Sequence, residues 1–125
     1  MNAEEFVHII KLRTSDAAVK NTLTILENPS GRSPSPGVIA LSRWYHGLSD
    51  SDRNMLRRAL EESAASAIFG FFCILDGVRV IEDTPEKGEL ELYFVKGAEK
   101  NLLNSSHQEE LHNLFNALRE NDTHV

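Results

Sequence analysis

An apolar run from Ala64 to Leu75, ended by Asp76–Gly77, constrains the fold of this chain more than any other feature. Asp-Gly between two apolar segments is typical of a β-hairpin closed by a type I′ turn. A helical phase nevertheless runs from Met55 through Leu75, and a glycine at position 77 stands where a left-handed residue ends a helix. The pattern therefore favours a helix whose second half is the central core element. At about 12 residues the run is shorter than the roughly 20 that a membrane span needs.

The rest of the first half predicts further helices and one loop. Apolar residues recur at helical spacing from Ala3 to Glu27, with a break or a new N-cap near Thr14–Ser15. Residues 28–37, NPSGRSPSPG, are rich in proline, glycine and serine and predict an exposed flexible loop. Residues 38–48 have the spacing of a short amphipathic helix, and Ser49 is placed to start the long helix that follows.

The second half predicts strands and a last helix. Residues 78–82 and 89–95 read as strands around a turn, and residues 99–104 as a short third strand. Alternation in the second strand places Leu90, Leu92 and Phe94 on one side and Glu89, Glu91 and Tyr93 on the other. A capping box is predicted from a serine at 106 and a glutamate at 109, which would open a helix that frays over residues 120–125.

Together these elements predict a single α+β domain of 125 residues. It has N-terminal helices, a long central helix, a small antiparallel sheet of two or three strands and a C-terminal helix. The side chains expected to share its core are Phe71, Phe72, Leu75, Leu92, Phe94, Leu114 and Phe115.

The charge is unevenly distributed along the chain. The net charge is −6, and residues 63–125 carry all of it, with eleven acidic and five basic side chains. Nucleic-acid binding is disfavoured because it needs clustered lysine and arginine. An acidic half is suited to attract a basic protein partner, although acidic residues also serve simply as solvated surface. The N-terminus is acidic before it is apolar, unlike a signal peptide, and one cysteine allows no internal disulfide, so a cytoplasmic protein without membrane association is expected.

No catalytic motif occurs among the five histidines or around the single cysteine. Glu109 and His112 have a spacing compatible with a metal, but two ligands do not make a site, so no metal and no cofactor is expected. Cys73 lies in the apolar run and is expected to be an inert thiol. A pocket formed by Trp44, Tyr45 and His46, with Asp76 nearby, is the alternative to core packing and turn roles for these side chains.

The most coherent candidate for a binding surface is an acidic face around the predicted turn and second strand. Like charges this close repel one another unless water or a basic partner offsets them. The predicted partner-binding residues are Glu82, Asp83, Glu86, Glu89 and Glu91.

Several segments between residues 38 and 115 resemble small, largely uncharacterised bacterial proteins. They are LSRWYHGLSDSDR, the LDGV that ends the long helix, GELELYFVKG and LHNLF. Proteins of this size and character include immunity proteins of bacterial toxin systems, acidic modules that bind and block a toxin. The resemblance implies a protein-binding function and identifies no catalytic residue.

Three functions follow as hypotheses. The first is a non-enzymatic protein-binding module, of the immunity type or similar, that uses the acidic face. The second is a small enzyme with a pocket near Trp44, His46 and Asp76. The third is a homodimeric interaction subunit whose partner surface is an apolar patch on the terminal helices.

Overall fold

The computed structural model describes residues 1–31 and 33–122 and has the predicted α+β architecture. The expectation of fraying over residues 123–125 lies outside the described residues, whereas residues 120–122 are helical. The elements in chain order are α1 (Ala3–Ile10), a π-helical segment (Lys11–Asp16), α2 (Ala17–Glu27), α3 (Pro36–His46), α4 (Asp50–Leu75), β1 (Tyr93–Lys96), β2 (Glu99–Leu102) and α5 (Leu111–Asp122). The π-helical segment occupies the place where the sequence predicts a break.

The described residues form two compact units. The first unit comprises Met1–Leu12 and the chain from Ser66 onward, and the second comprises Arg13–Ala65. Within the described residues, no helix is both long enough and apolar enough to cross a membrane. The prediction of a single domain stays a prediction.

The core of the first unit is built where α1 packs against α5. Phe72 lies between two other rings, with centroid distances of 6.3 Å to Phe6 and 5.6 Å to Phe115. Val7 on α1 and Leu111 on α5 are also fully buried. The predicted core is therefore confirmed at Phe72 and Phe115. Four other residues of the predicted core are only partly buried: Leu75, Leu92, Phe94 and Leu114.

The prediction that Phe71 belongs to the core is wrong. Its side chain is 54% exposed, although it lies next to Phe72, which is 1% exposed. Consecutive helical residues are about 100° apart around the axis, so only one of the two rings can point into this core. The second half of α4, predicted to be the central core element, is therefore exposed on the side that carries Phe71.

The second unit has its own apolar cluster, formed by α2 and α3 with part of α4. Its buried members are Val19, Leu23, Leu26 and Tyr45. The hydroxyl of Ser42 donates a 2.6 Å hydrogen bond to the Leu26 carbonyl, which joins α3 to α2. Arg53 lies 4.8 Å from the centroid of the Tyr45 ring and donates to the carbonyls of Tyr45 and His46.

The apolar run is helical up to its end, as predicted, and the hairpin alternative is wrong. Gly77 has φ of +78°, the left-handed conformation that ends a helix. Its N–H donates to the Ile74 carbonyl, and the Val78 N–H donates to the Cys73 carbonyl. This pair of bonds is the Schellman motif, which satisfies carbonyls that the helix itself leaves unpaired.

Gly70 inside α4 is explained by the segment that follows the helix. A Cβ at this position would overlap Nη1 of Arg79, so the guanidinium occupies the space that a larger residue would fill. The glycine therefore lets Arg79 lie against the helix, at a cost of about 1 kcal/mol in helix propensity.

Replacing Gly70 with alanine is expected to stabilise the protein more when Arg79 is removed as well. In an Arg79→Ala background the gain should be about 0.5–1 kcal/mol, because only helix propensity changes. In the wild-type background the gain should be smaller, since the guanidinium must move away. Chemical denaturation of the four proteins in this double-mutant cycle measures the difference. Equal stabilisation by Gly70→Ala in both backgrounds would contradict the contact between Arg79 and position 70.

The sheet is a two-stranded antiparallel hairpin. Phe94 is opposite Asn101 and Lys96 is opposite Glu99, with Gly97, at φ of +59°, in the connecting turn. The predictions of strands at 78–82 and at 89–92 are wrong, since both segments lack regular secondary structure. Residues 78–82 fail to form a strand because residues 77–79 are held by hydrogen bonds to the end of α4.

The last helix begins later than the capping box predicts. Helix α5 starts at Leu111, and the hydroxyl of Ser105, not of Ser106, accepts a local hydrogen bond, from the His107 N–H. Residues 106 and 109 lie outside the helix. The first N–H groups of α5 are satisfied instead by a carboxylate from a distant part of the chain, which competes with the local cap.

Candidate functional site

That carboxylate belongs to Asp76, directly after α4. One oxygen accepts a 3.1 Å hydrogen bond from the Leu111 N–H, and the other accepts a 2.9 Å bond from the His112 N–H. Nδ1 of His112 lies 2.7 Å from the same second oxygen. Asp76 thus ends one helix with its backbone and caps the next with its side chain, where a negative charge also favours the helix dipole.

Glu110 brings a third ionisable group to this position. One ligand atom from each of Asp76, Glu110 and His112 lies within 4.8 Å of the others, a grouping compatible with a cation. The Asp76 side chain is 3% exposed, and its oxygens are already occupied by the hydrogen bonds from α5. These bonds account for the proximity of the groups, so helix capping is the role that the geometry supports. The absence of a bound metal stays a prediction.

Glu109, whose spacing from His112 the sequence analysis noted and did not take as a site, lies outside α5. The carboxylates that the structure places beside His112 are those of Asp76 and Glu110. The ring of His112 also meets Phe69 edge to face, with centroids 5.8 Å apart. No local sequence signal links Asp76 to His112, because 36 residues separate them.

Cys73 is buried, as predicted for an inert thiol. Burial raises the pKa of this thiol, because the thiolate would lose its hydration, while the positive charge of Arg79 opposes that effect. A raised pKa leaves little thiolate at neutral pH and therefore little nucleophilicity.

The five predicted partner-binding residues lie in an irregular segment, residues 78–92, that is exposed over most of its length. The segment lines a groove of about 530 Å³ together with the end of α4 and residues 102–107. Glu82, Glu89 and Glu91 line this groove together with the basic side chains of Arg79 and Lys87, and Asp83 and Glu86 are exposed in the turn beside it.

Two contacts close the turn in this segment. The carboxylate of Glu82 accepts a 2.6 Å hydrogen bond from the Gly88 N–H. The hydroxyl of Thr84 donates a 2.6 Å hydrogen bond to the Glu86 carbonyl. The turn is therefore held by its own polar groups although it belongs to no strand.

Asn104 anchors the end of the segment. Its Nδ2 donates 2.7 Å hydrogen bonds to the carbonyls of Leu75 and Leu90, and its Oδ1 accepts a 2.9 Å bond from the Leu92 N–H. One side chain thus joins the end of α4 to residues 90–92. No signal in the sequence marks this residue, since an asparagine after a strand normally indicates only a turn.

The alternation predicted for residues 89–95 is confirmed over residues 91–95 and wrong at Leu90, whose side chain is 43% exposed. Leu92 and Phe94 are partly buried, whereas Glu91, Tyr93 and Val95 are exposed. The Tyr93 hydroxyl donates a 2.6 Å hydrogen bond to the Glu91 carboxylate, so these two side chains lie on the same side. This hydrogen bond, together with the carboxylate charge, raises the pKa of Tyr93.

Replacing Glu91 with glutamine is expected to lower the pKa of Tyr93 towards its ordinary value, because the neighbouring negative charge is removed. Ultraviolet difference absorption of the tyrosinate, in a Tyr45→Phe background that leaves one tyrosine, measures this pKa. Glu89→Gln is the matched control and should change it less. Equal effects of the two substitutions would contradict the specific Glu91–Tyr93 contact.

The predicted Trp44–Tyr45–His46 pocket is a set of side chains with different surroundings. Trp44 is 52% exposed, whereas Tyr45 is 5% exposed and belongs to the apolar cluster of the second unit. His46 lies on the surface with Nε2 2.8 Å from the Glu27 carbonyl oxygen. Core packing is therefore confirmed for Tyr45 and wrong for Trp44. Asp76 belongs to the first unit, where its side chain caps α5.

Comparisons with protein-family models, with curated proteins and with solved structures found no match to this chain. The candidate site is therefore defined by its own geometry. It consists of the groove, the acidic side chains along it and the contacts that hold its walls.

Proposed function

We propose that this chain is a non-catalytic, cytoplasmic protein-binding module whose acidic groove receives a basic partner. The observation that carries the proposal is the combination of exposed apolar and acidic side chains along residues 78–92. Val80, Ile81 and Leu90 are exposed in the same segment as the five acidic residues.

Exposed apolar side chains provide the favourable part of such an interaction. A cluster of them, bordered by charged residues, is typical of a surface that binds another protein. The acidic residues add long-range attraction, which raises the association rate of a basic partner and disfavours acidic ones. Purely solvated surface would explain the acidic side chains but not the apolar ones.

The contacts within the groove support binding with little reorganisation. Asn104 fixes residues 90–92, and the bond from Gly88 to Glu82 fixes the turn. A surface that is already ordered loses less conformational entropy when a partner binds. The carboxylate of Asp76, which lies beside His112, is engaged in capping α5.

A pull-down from the source cell with two charge-reversed variants tests the proposal. The wild type should retain a basic protein that the Glu89→Lys, Glu91→Lys double variant loses, because the attraction is reversed. Glu27→Lys with Glu61→Lys is the matched control, since both residues are exposed, lie in the second unit and change the net charge equally. Loss of the same protein from both double variants, or from neither, would contradict a role for the acidic groove.

The resemblance to immunity proteins leads us to propose a toxin as the partner. A neutralising module of this kind should protect cells that express a toxin encoded next to it. Protection that survives Glu89→Lys with Glu91→Lys would contradict neutralisation through the groove.

A further inference from the structure

Among the described residues, β1 pairs only with β2, so its outer edge has no strand beside it. The Leu103 N–H donates a 2.8 Å hydrogen bond to the Leu92 carbonyl. This bond identifies Leu92 and Leu103 as a hydrogen-bonded pair, from which the other pairs of the hairpin follow. Opposite residues of an antiparallel pair alternate between bonded and non-bonded, so Phe94 and Lys96 bond to β2. The backbone N–H and C=O groups of Tyr93 and Val95 consequently point away from β2.

These outward groups have no partner within residues 1–31 and 33–122. Neither Tyr93 nor Val95 makes a backbone hydrogen bond outside the hairpin to any described residue. Their side chains are 40% and 62% exposed. An exposed row of backbone donors and acceptors is a template on which another extended segment can pair.

We infer that the basic partner binds by adding an extended strand to the β1 edge, a mode that rests on the proposed function. Backbone hydrogen bonds to Tyr93 and Val95 would supply affinity, and side chains on alternate positions would supply specificity. The partner segment should therefore alternate basic and apolar residues.

The side chains beside this edge determine the chemistry of the partner. Glu91, Tyr93 and Val95 are exposed on one side of the same extended stretch, and Glu89 precedes them in the groove wall. Basic side chains at alternate positions of an added strand would lie on the side that carries Glu91, and the apolar side chains between them would lie on the side that carries Leu92 and Phe94. A second copy of this chain fits less well, since each copy carries a net charge of −6.

The other edge of the hairpin lacks these features. On β2, Lys100 lies 4.5 Å from the Tyr93 ring centroid and presents a positive charge. The side chains of Glu99 and Asn101 hydrogen-bond to the main chain of Met1. Both strands carry a lysine, Lys96 on β1 and Lys100 on β2, so the choice of β1 rests on Glu89 and Glu91, which precede it, and on the engagement of Glu99 by Met1.

A synthetic peptide serves as the probe. It alternates lysine and valine over about six residues, the usual length of a strand. A second peptide has the same sequence but carries N-methyl groups on the backbone nitrogens of its two central residues. Consecutive N–H groups of a strand point in opposite directions, so each edge of this peptide loses one hydrogen-bond donor. The wild type should bind the first peptide at least tenfold more tightly than the second. Hydrogen exchange should show that the amides of Tyr93 and Val95 become protected on binding.

Two proline variants identify the edge of the hairpin at which the peptide pairs. Val95→Pro removes an outward N–H from β1 and should abolish the preference for the unmethylated peptide. Lys100→Pro removes an outward N–H from β2 and should preserve it, since proline is tolerated at outward positions of an edge strand. Circular dichroism of both variants identifies any that fail to fold, and exchange protection in the wild type provides a result that needs no variant.

The outcomes separate this inference from the proposed function. Equal binding of both peptides, weakened by Glu89→Lys with Glu91→Lys, would reject strand addition and support the acidic groove. Binding of neither peptide would overturn the inference, and the pull-down would still test the groove. A dimer of the free protein that Val95→Pro dissociates would also overturn it, because the edge would then be occupied by a second copy.

Discussion

Replacing Phe72 with alanine is expected to lower the free energy of unfolding by about 3–5 kcal/mol. The ring is 1% exposed and contacts Phe6 and Phe115, so its removal leaves a cavity where three aromatic residues meet. A loss of this size is a large fraction of the stability of an ordinary domain. Urea denaturation followed by circular dichroism measures it.

Phe71→Ala is the matched control, because it removes the same ring from the next position of the same helix. Its side chain is 54% exposed, and we expect a loss below about 1 kcal/mol. Equal losses for the two variants would contradict the orientation of α4 in the first unit.

Replacing Asp76 with alanine is expected to cost about 2–4 kcal/mol, since the first turn of α5 loses its cap and His112 loses its partner. Asp76→Asn retains one acceptor oxygen and should cost about half as much. Asp83→Ala, at an exposed position, should change stability by no more than about 0.5 kcal/mol. Thermal unfolding of the three variants measures these differences. Similar effects at Asp76 and Asp83 would contradict the capping role.

The sequence predicts best the elements that local patterns determine. Gly77 ends α4 because its left-handed conformation suits glycine, and the phase of the apolar residues identifies the helix before it. The side-chain alternation of residues 91–95 follows from the extended backbone alone. These features depend on neighbours within a few positions.

The contacts that shape the candidate site depend on residues far apart in the chain. Asp76 replaces the local cap predicted at Ser106, and Asn104 connects α4 to residues 90–92. Neither contact has a periodic or local signature. The same limit explains Phe71 and Trp44, whose apolar character predicts burial but not which way each residue faces.

The association rate of the captured partner at two salt concentrations tests most directly whether the acidic groove is functional. Salt shortens the Debye length, the distance over which charges interact, from about 10 Å at 0.1 M to about 3 Å at 1 M. For the wild type and for Glu27→Lys with Glu61→Lys, the rate should fall steeply as salt rises. For Glu89→Lys with Glu91→Lys, it should be slow at low salt and should not fall further as salt increases. Equal rates and equal salt dependence for all three proteins would contradict the account, and the acidic residues would then be solvated surface.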